Sequence, residues 1–475
     1  MTISASDLVF RKSEIINDIS TNGGRKGYDE VVGSVKYNIF PRVPISEQVT
    51  GKTRVRKIFL ANENDDDEEA ANALAFIECP SNGADYIVMA LGSQSNTYAD
   101  VVAAATAPTF IGCGSLNAAL ETDDTEAVIL MEDDEIEFPN GGVLHVSDKF
   151  MVSQTIAAGV KIGDSVEYVT DTWQKITFTD DIAYPNGRYI GSNKVMTVGD
   201  DTNEEWIDLK DNLYTAEVLG TGDGTTSPTL ATLTHVTNGI CKQLGKRPVL
   251  NATHGATTYV VNVAANGDCS GDCSAGKLNM TTGAWTTPIV WAGTVDNATN
   301  VTITYRENCF SYSGNVCTVQ LDAFPANAYA ASNTYASGCL EQASILATAD
   351  DWDDSDTTSG TYDQATYPVV IDNIGTVEDT FTIEFTSATA FTCSGTNEGS
   401  LGTGAVGTDF VPVNAETGKP YFTIDKDGWG GTWAIGDTVT FPTHASAMPI
   451  WLKEVVPAEA ATVQQNLFVL GFYCE

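Results

Sequence analysis

Short runs of alternating apolar and polar residues recur along most of the chain. They are broken about every eight to twelve positions by Gly, Asn or Asp, the spacing of antiparallel sandwiches and barrels. Such runs are Gly142–Ser147, Ser165–Val169, Lys175–Thr179, Thr257–Val263, Asn300–Tyr305, Thr380–Phe385 and Asp437–Phe441. Met280–Gly283 sits between two alternating stretches within Lys277–Trp285, as a hairpin turn should. Lys419–Ile424 and Pro449–Leu452 complete the predicted C-terminal strands, and Ala84–Gly92 predicts one near the start. Only Ala70–Ala75 reads as helix-compatible. The fold class expected is therefore mainly β: several antiparallel sandwich or barrel modules with few short helices.

The first 60 residues depart from this pattern. They show little periodicity and several turn signals, Asn22–Gly24, Gly33–Ser34, Phe40–Pro41 and Val43–Pro44, and predict an extended arm ending in a strand over Thr53–Leu60. Five segments follow: the arm at 1–60, a β-rich domain with acidic loops at 61–218, a sandwich module at 219–317, a connecting segment at 318–364 rich in Ala, Asn and Asp, and a C-terminal β domain at 365–475. A chain of 475 residues is expected to divide in this way, because a single core rarely grows so large.

Charge sharpens the picture of the arm. The chain carries 24 basic and 63 acidic residues, a formal net charge of −39. Residues 1–57 nevertheless hold ten Lys and Arg against six Asp and Glu. A basic start on an acidic body suits docking against an acidic neighbour or the next identical subunit in a high-order, sixfold assembly. The candidate interface residues are Arg11, Lys12, Arg25, Lys26, Arg42, Arg54, Arg56 and Lys57. Pairing within the chain is the other reading. So acidic a body disfavours nucleic acid and anionic membranes, since both are bound through Lys and Arg. No apolar run is long enough to span a bilayer, and the opening residues do not form a signal peptide.

Candidate chemistry is sparse. Seven of the ten cysteines lie between Cys241 and Cys393, without the paired spacing or His partners of a zinc site. Cys309 and Cys317 flank a predicted hairpin turn at Gly314, which suggests a cross-strand disulfide; Cys269 with Cys273 is the rival pairing. Gly271–Leu278 has P-loop spacing, but Leu278 stands where Ser or Thr should hold magnesium. No G-x-S-x-G elbow occurs, and His145, His235, His254 and His444 lack metal-site spacing. Asp351–Asp356 could offer oxygens to calcium, but Tyr362 replaces the bidentate Glu of an EF-hand loop. Asp425, Asp427 and Asp437 beside Trp429 and Trp433 are the one place where a glycosidase-like carboxylate pair could sit near sugar-stacking rings. The balance favours a protein that is not an enzyme and needs no cofactor or metal.

Several segments carry a resemblance: Met1–Leu8, Gly23–Arg25, Asn38–Pro41, Arg54–Phe59, Gly222–Thr226, Phe410–Phe422, Gly428–Gly431, Gly436–Val439 and Pro449–Pro457. Together and in this order the chain resembles a family of conserved virion structural proteins of tailed bacteriophages and prophages. The resemblance implies a subunit of the tail's distal end or baseplate, arrayed around the tube of a contractile tail. It would be assembled in the host cytoplasm among other tail proteins. It transfers no catalytic residue. A receptor-binding or adhesin-like sandwich protein of the virion is the alternative, and a carbohydrate depolymerase the second.

Overall fold

The computed structural model describes residues 3–33, 35, 37–79, 85–103, 108, 110–130, 195–199, 204–242, 246–313, 316–331, 334–460 and 468–474. The strands expected at Gly142–Ser147, Ser165–Val169 and Lys175–Thr179, together with His145, lie outside the described residues.

The described chain is mainly β, with antiparallel sheets and two short helices, Ile45–Thr50 and Tyr98–Val102. Its organising element is a five-stranded sheet in the spatial order Gly23–Glu30, Leu8–Ile15, Lys52–Asn62, Ala447–Val456, Tyr86–Leu91. Lys52–Asn62 and Ala447–Val456 pair in unbroken register from Lys52↔Val456 to Ala61↔Ala447. Both strands are buried along nearly their whole length, which is why they show no period-two alternation, with Arg54, Arg56 and Lys57 buried among apolar neighbours. Trp451 fills one face of this sheet. It is fully buried, and its indole nitrogen donates to Asn96 Oδ1 at 3.1 Å. Gly23 lies against the ring with φ +105°, and a Cβ there would fall 2.6 Å from it, so only glycine fits.

A second, nine-stranded sheet is built around Tyr335–Ile345, which pairs with Ala70–Cys79, Cys113–Leu116 and Val195–Gly199. Its apolar core is continuous with one face of the first sheet through Ile58, Leu60, Met448 and Ile450. The two sheets form a scaffold, and two modules are inserted into it. One runs between Asn212 and Glu307, which are themselves register partners, so the chain enters and leaves through paired strands. The other runs between Thr348 and His444, again partners. Each module closes its own core: Leu219 to Tyr305 in the first, Tyr362 to Phe441 in the second. Their strands bury alternate residues, as in Asp379–Phe385 and Thr438–His444, so the period-2 pattern expected from the sequence is seen here most clearly.

Several expectations are corrected. Residues 1–60 are not an extended arm. They supply three strands of the first sheet, because the strand around Ile58 has no other way to cover two apolar faces. Ala70–Ala75 is strand rather than helix: Ala70, Ala73 and Ala75 are buried and the stretch pairs with Tyr335–Ile345, so pairing overrides alanine's helix propensity. The supposed connecting segment 318–364 contains Tyr335–Ile345, the hub of the larger sheet. Pro449–Leu452 belongs with the N-terminal strands and not with a C-terminal domain. Lys419–Ile424 makes only isolated bridges, to Val370, Phe410 and Val413.

Replacing Trp451 by Ala should cost about 3–5 kcal/mol, measured as a fall in unfolding free energy in denaturant. A loss below about 1 kcal/mol would mean that the ring is not a packed centre of the sheet.

Candidate functional site

The basic residues of the first segment were the sequence's candidates for contact with a neighbour, and the strands place most of them inward. Within Lys52–Asn62, alternate residues point to opposite faces. Arg54 and Arg56 share the face of Ile58 and Leu60, whereas Lys57 shares that of Phe59 and Trp451. Arg54 stands opposite Glu454 in the register and donates to its Oε2 at 3.1 Å, and it also bonds Glu47 on the helix Ile45–Thr50. Arg56 binds Asp18 at 2.6 Å and donates to the carbonyl of Asn17 at 2.9 Å. Arg11 grips Glu63 with two parallel bonds of 2.8 and 2.7 Å. Arg25 binds Glu14 and Glu398 at 2.5 and 2.8 Å. Internal pairing, not docking, therefore occupies Arg11, Arg25, Arg54 and Arg56. Lys12, Lys26 and Arg42 make no ion pair among the described residues, and Arg42 is exposed.

Lys57 and Glu454, on the paired central strands, are both strongly perturbed. Lys57 is fully buried, and its three ammonium hydrogens are matched by three carbonyls, of Gly24, Gln94 and Asn96, at 2.6, 3.2 and 3.0 Å. The rings of Phe59 and Trp451 add cation–π contact at 4.9 and 5.7 Å. Burial pushes its pKa down to about 7. Glu454 is 4% exposed. Burial first, then the nearby Asp85 carboxylate, raises its pKa to about 7 against the pull of Arg54 and Arg56. Perturbed groups often mark functional sites, but these two project from opposite faces of the sheet and form no shared cleft. They tie strands and loops together.

What the charged hub presents outward is apolar. Asp18 and Glu47, held by Arg56 and Arg54, sit beside Ile16, Ile19, Ile45 and Val49, all exposed; the helix Ile45–Thr50 buries none of its residues. Nine of the twenty exposed large hydrophobics among the described residues fall between Ile15 and Val49, so the segment does carry a surface suited to contact, though an aliphatic one. Sequence reasoning missed it because these residues lack periodicity.

The other candidates settle into structural roles. Trp433 is buried and stacks on Phe385 at 4.0 Å, and Trp429 meets it edge-on, so both indoles belong to the module core and not to a sugar platform. Asp437 accepts from Thr358 and from the backbone of Ala434, which lowers its pKa, the reverse of what a general acid needs. Asp425 caps a short turn through the backbone of Asp427, and Asp427 faces Lys426. His235 stacks on Tyr214, His254 lies by Thr294 and Asp296, and His444 lies between Glu378 and Asp350. Strand Cys273–Leu278 runs through the P-loop-like stretch, with no helix to present amides to phosphate. Among the described residues no three His, Cys, Asp or Glu side chains converge as a metal site.

Cys309 and Cys317 are not cross-strand partners. The hairpin register sets Ser313 opposite Val316 and Tyr312 opposite Cys317, and the backbone carbonyl of Cys309 accepts from Gln320. Both are buried thiols, and burial pushes Cys309 up to about 12 and Cys317 well above its usual range. Cys269 and Cys273, the rival pair, are also thiols.

No family model, curated protein or solved structure matches the chain.

Two outcomes follow from these environments. Between pH 4.5 and about 7 the folded state holds a proton on Glu454 that the unfolded chain has lost, so this group makes stability fall as pH rises through that window. Glu454→Gln should remove that slope, by at most about 3 kcal/mol across the window, in denaturant unfolding at stepped pH. An unchanged slope would show that Glu454 is not the protonated group. Separately, Cys309 and Cys317 should resist alkylation in the native protein yet react fully in denaturant without reductant. Protection that persisted in denaturant would signal a disulfide.

Proposed function

We propose that the chain is a non-enzymatic structural subunit of a bacteriophage tail or baseplate, assembled in the host cytoplasm as a sixfold ring of copies around the tail tube and in contact with other tail proteins. The resemblance of its ordered motifs to phage virion structural proteins supplies the setting. The observation that carries the reading is the aliphatic fringe Ile15, Ile16, Ile19, Ile45 and Val49. On a chain of net charge −39, most surfaces repel a second copy, and an uncharged fringe beside neutralised carboxylates is where close approach costs least. Two inserted modules on a closed scaffold also suit a spacer that offers separate contact faces to different neighbours. The fringe replaces the basic patch as the contact surface in this reading.

The receptor-binding alternative loses its support at Trp429 and Trp433, whose rings pack inward, and the depolymerase alternative loses Asp437, whose pKa is lowered. Neither is favoured by any other observation.

Antibody labelling of the source particle in the electron microscope should mark the distal end of the tail, and label on the head, or none on the particle, would contradict the reading. Particles assembled with Ile19→Glu and Ile45→Glu together should lose the chain while the isolated protein keeps its wild-type circular dichroism. Wild-type incorporation of that double variant would remove the fringe from the account.

A further inference from the structure

We infer that the inserted module between Thr348 and His444 is fastened to the scaffold by an ionic latch centred on Arg25, and that opening the latch lets the module swing as a unit on its two-strand neck.

Three observations carry this. The module joins the scaffold covalently at one place, where Thr348 and Ala349 pair with His444 and Thr443. Its buried apolar cluster is drawn wholly from within the module, and no member of the scaffold's buried clusters comes from it. The seam between the two is polar. Arg25, on the scaffold strand Gly23–Glu30, holds Glu14 on the neighbouring strand and reaches across to Glu398 at 2.8 Å and to the carbonyl of Glu378 at 3.0 Å. The second oxygen of Glu398 accepts from Tyr421 at 3.0 Å, which braces the carboxylate from the module side. Around this centre Asn414 donates to Tyr28 at 3.0 Å, Lys419 pairs with Asp65 at 2.7 Å, and the backbone of Asn373 donates to Asp67 at 2.7 Å.

A seam held by hydrogen bonds and ion pairs permits relative motion more readily than a large apolar one. Arg25 and Glu398 are partly buried, so salt screens this pair less than it would an exposed one. At the neck of the other module, between Asn212 and Glu307, Arg306 pairs with Asp211 at 2.8 Å. This inference does not depend on the tail assignment.

The Lys419–Asp65 pair crosses the same seam without touching Arg25 and serves as the reporter. Zero-length carbodiimide coupling of the full-length protein at low salt should yield a Lys419–Asp65 linked peptide. In Arg25→Gln the yield should fall roughly fivefold or more, while the tryptophan fluorescence of the chain, to which Trp352, Trp429 and Trp433 of the module contribute, keeps its wild-type spectrum. Arg25→Lys should recover part of the yield. Equal yields in wild type and Arg25→Gln would overturn the latch. Loss of yield accompanied by a red-shifted tryptophan spectrum would overturn it too, because Arg25 would then be supporting the module's fold and not its position.

Discussion

The ladder between Lys52–Asn62 and Ala447–Val456 is the constraint on which the rest depends. It joins segments almost four hundred residues apart, so everything between must leave this sheet and return to it. The two modules meet that demand by entering and leaving through paired strands, at Asn212↔Glu307 and Thr348↔His444. Contacts so distant in sequence make folding slow, since loop closure must precede the gain from pairing. They also leave the scaffold strands unpaired until the last of them is available.

The buried charges along Lys52–Asn62 govern the electrostatics. Arg11, Arg25, Arg54 and Arg56 spend their guanidiniums on Glu63, Glu14, Glu398, Glu47, Glu454 and Asp18, so the basic character of the segment is largely turned inward. A buried ion pair contributes little net stability against its desolvation, but losing one partner leaves the other uncompensated. Their value here is in fixing where strands and loops meet. Lys57 illustrates it: one ammonium collects carbonyls from Gly24, Gln94 and Asn96, three points that no apolar side chain could hold in register.

The sequence disclosed the modules well and the scaffold poorly, for a physical reason. Strands with one wet face, such as Thr257–Val263 or Asp379–Phe385, write a period of two that can be read directly. Strands buried on both faces, such as Lys52–Asn62, write none, and their Arg and Lys looked like surface charge until the partners Glu454 and Asp18 came into view from elsewhere in the chain. The pairing of Pro449–Leu452 with the N-terminal strand leaves no local trace at all. The cysteine hairpin was legible, but its register was not: Cys317 stands opposite Tyr312 and not Cys309. At the candidate surface, Arg42 is exposed and Lys12 half-buried, while the aliphatic fringe had no periodic signature to reveal it.

The central claim is that residues 8–62 are integral to a sheet closed by 447–456. Amide hydrogen exchange of the full chain in increasing denaturant tests it most directly. The account predicts that the amides of 52–62 and 447–456 are among the most protected and lose protection at the same denaturant concentration. Free exchange throughout the first 60 residues, with 447–456 still protected, would restore the extended arm and contradict it.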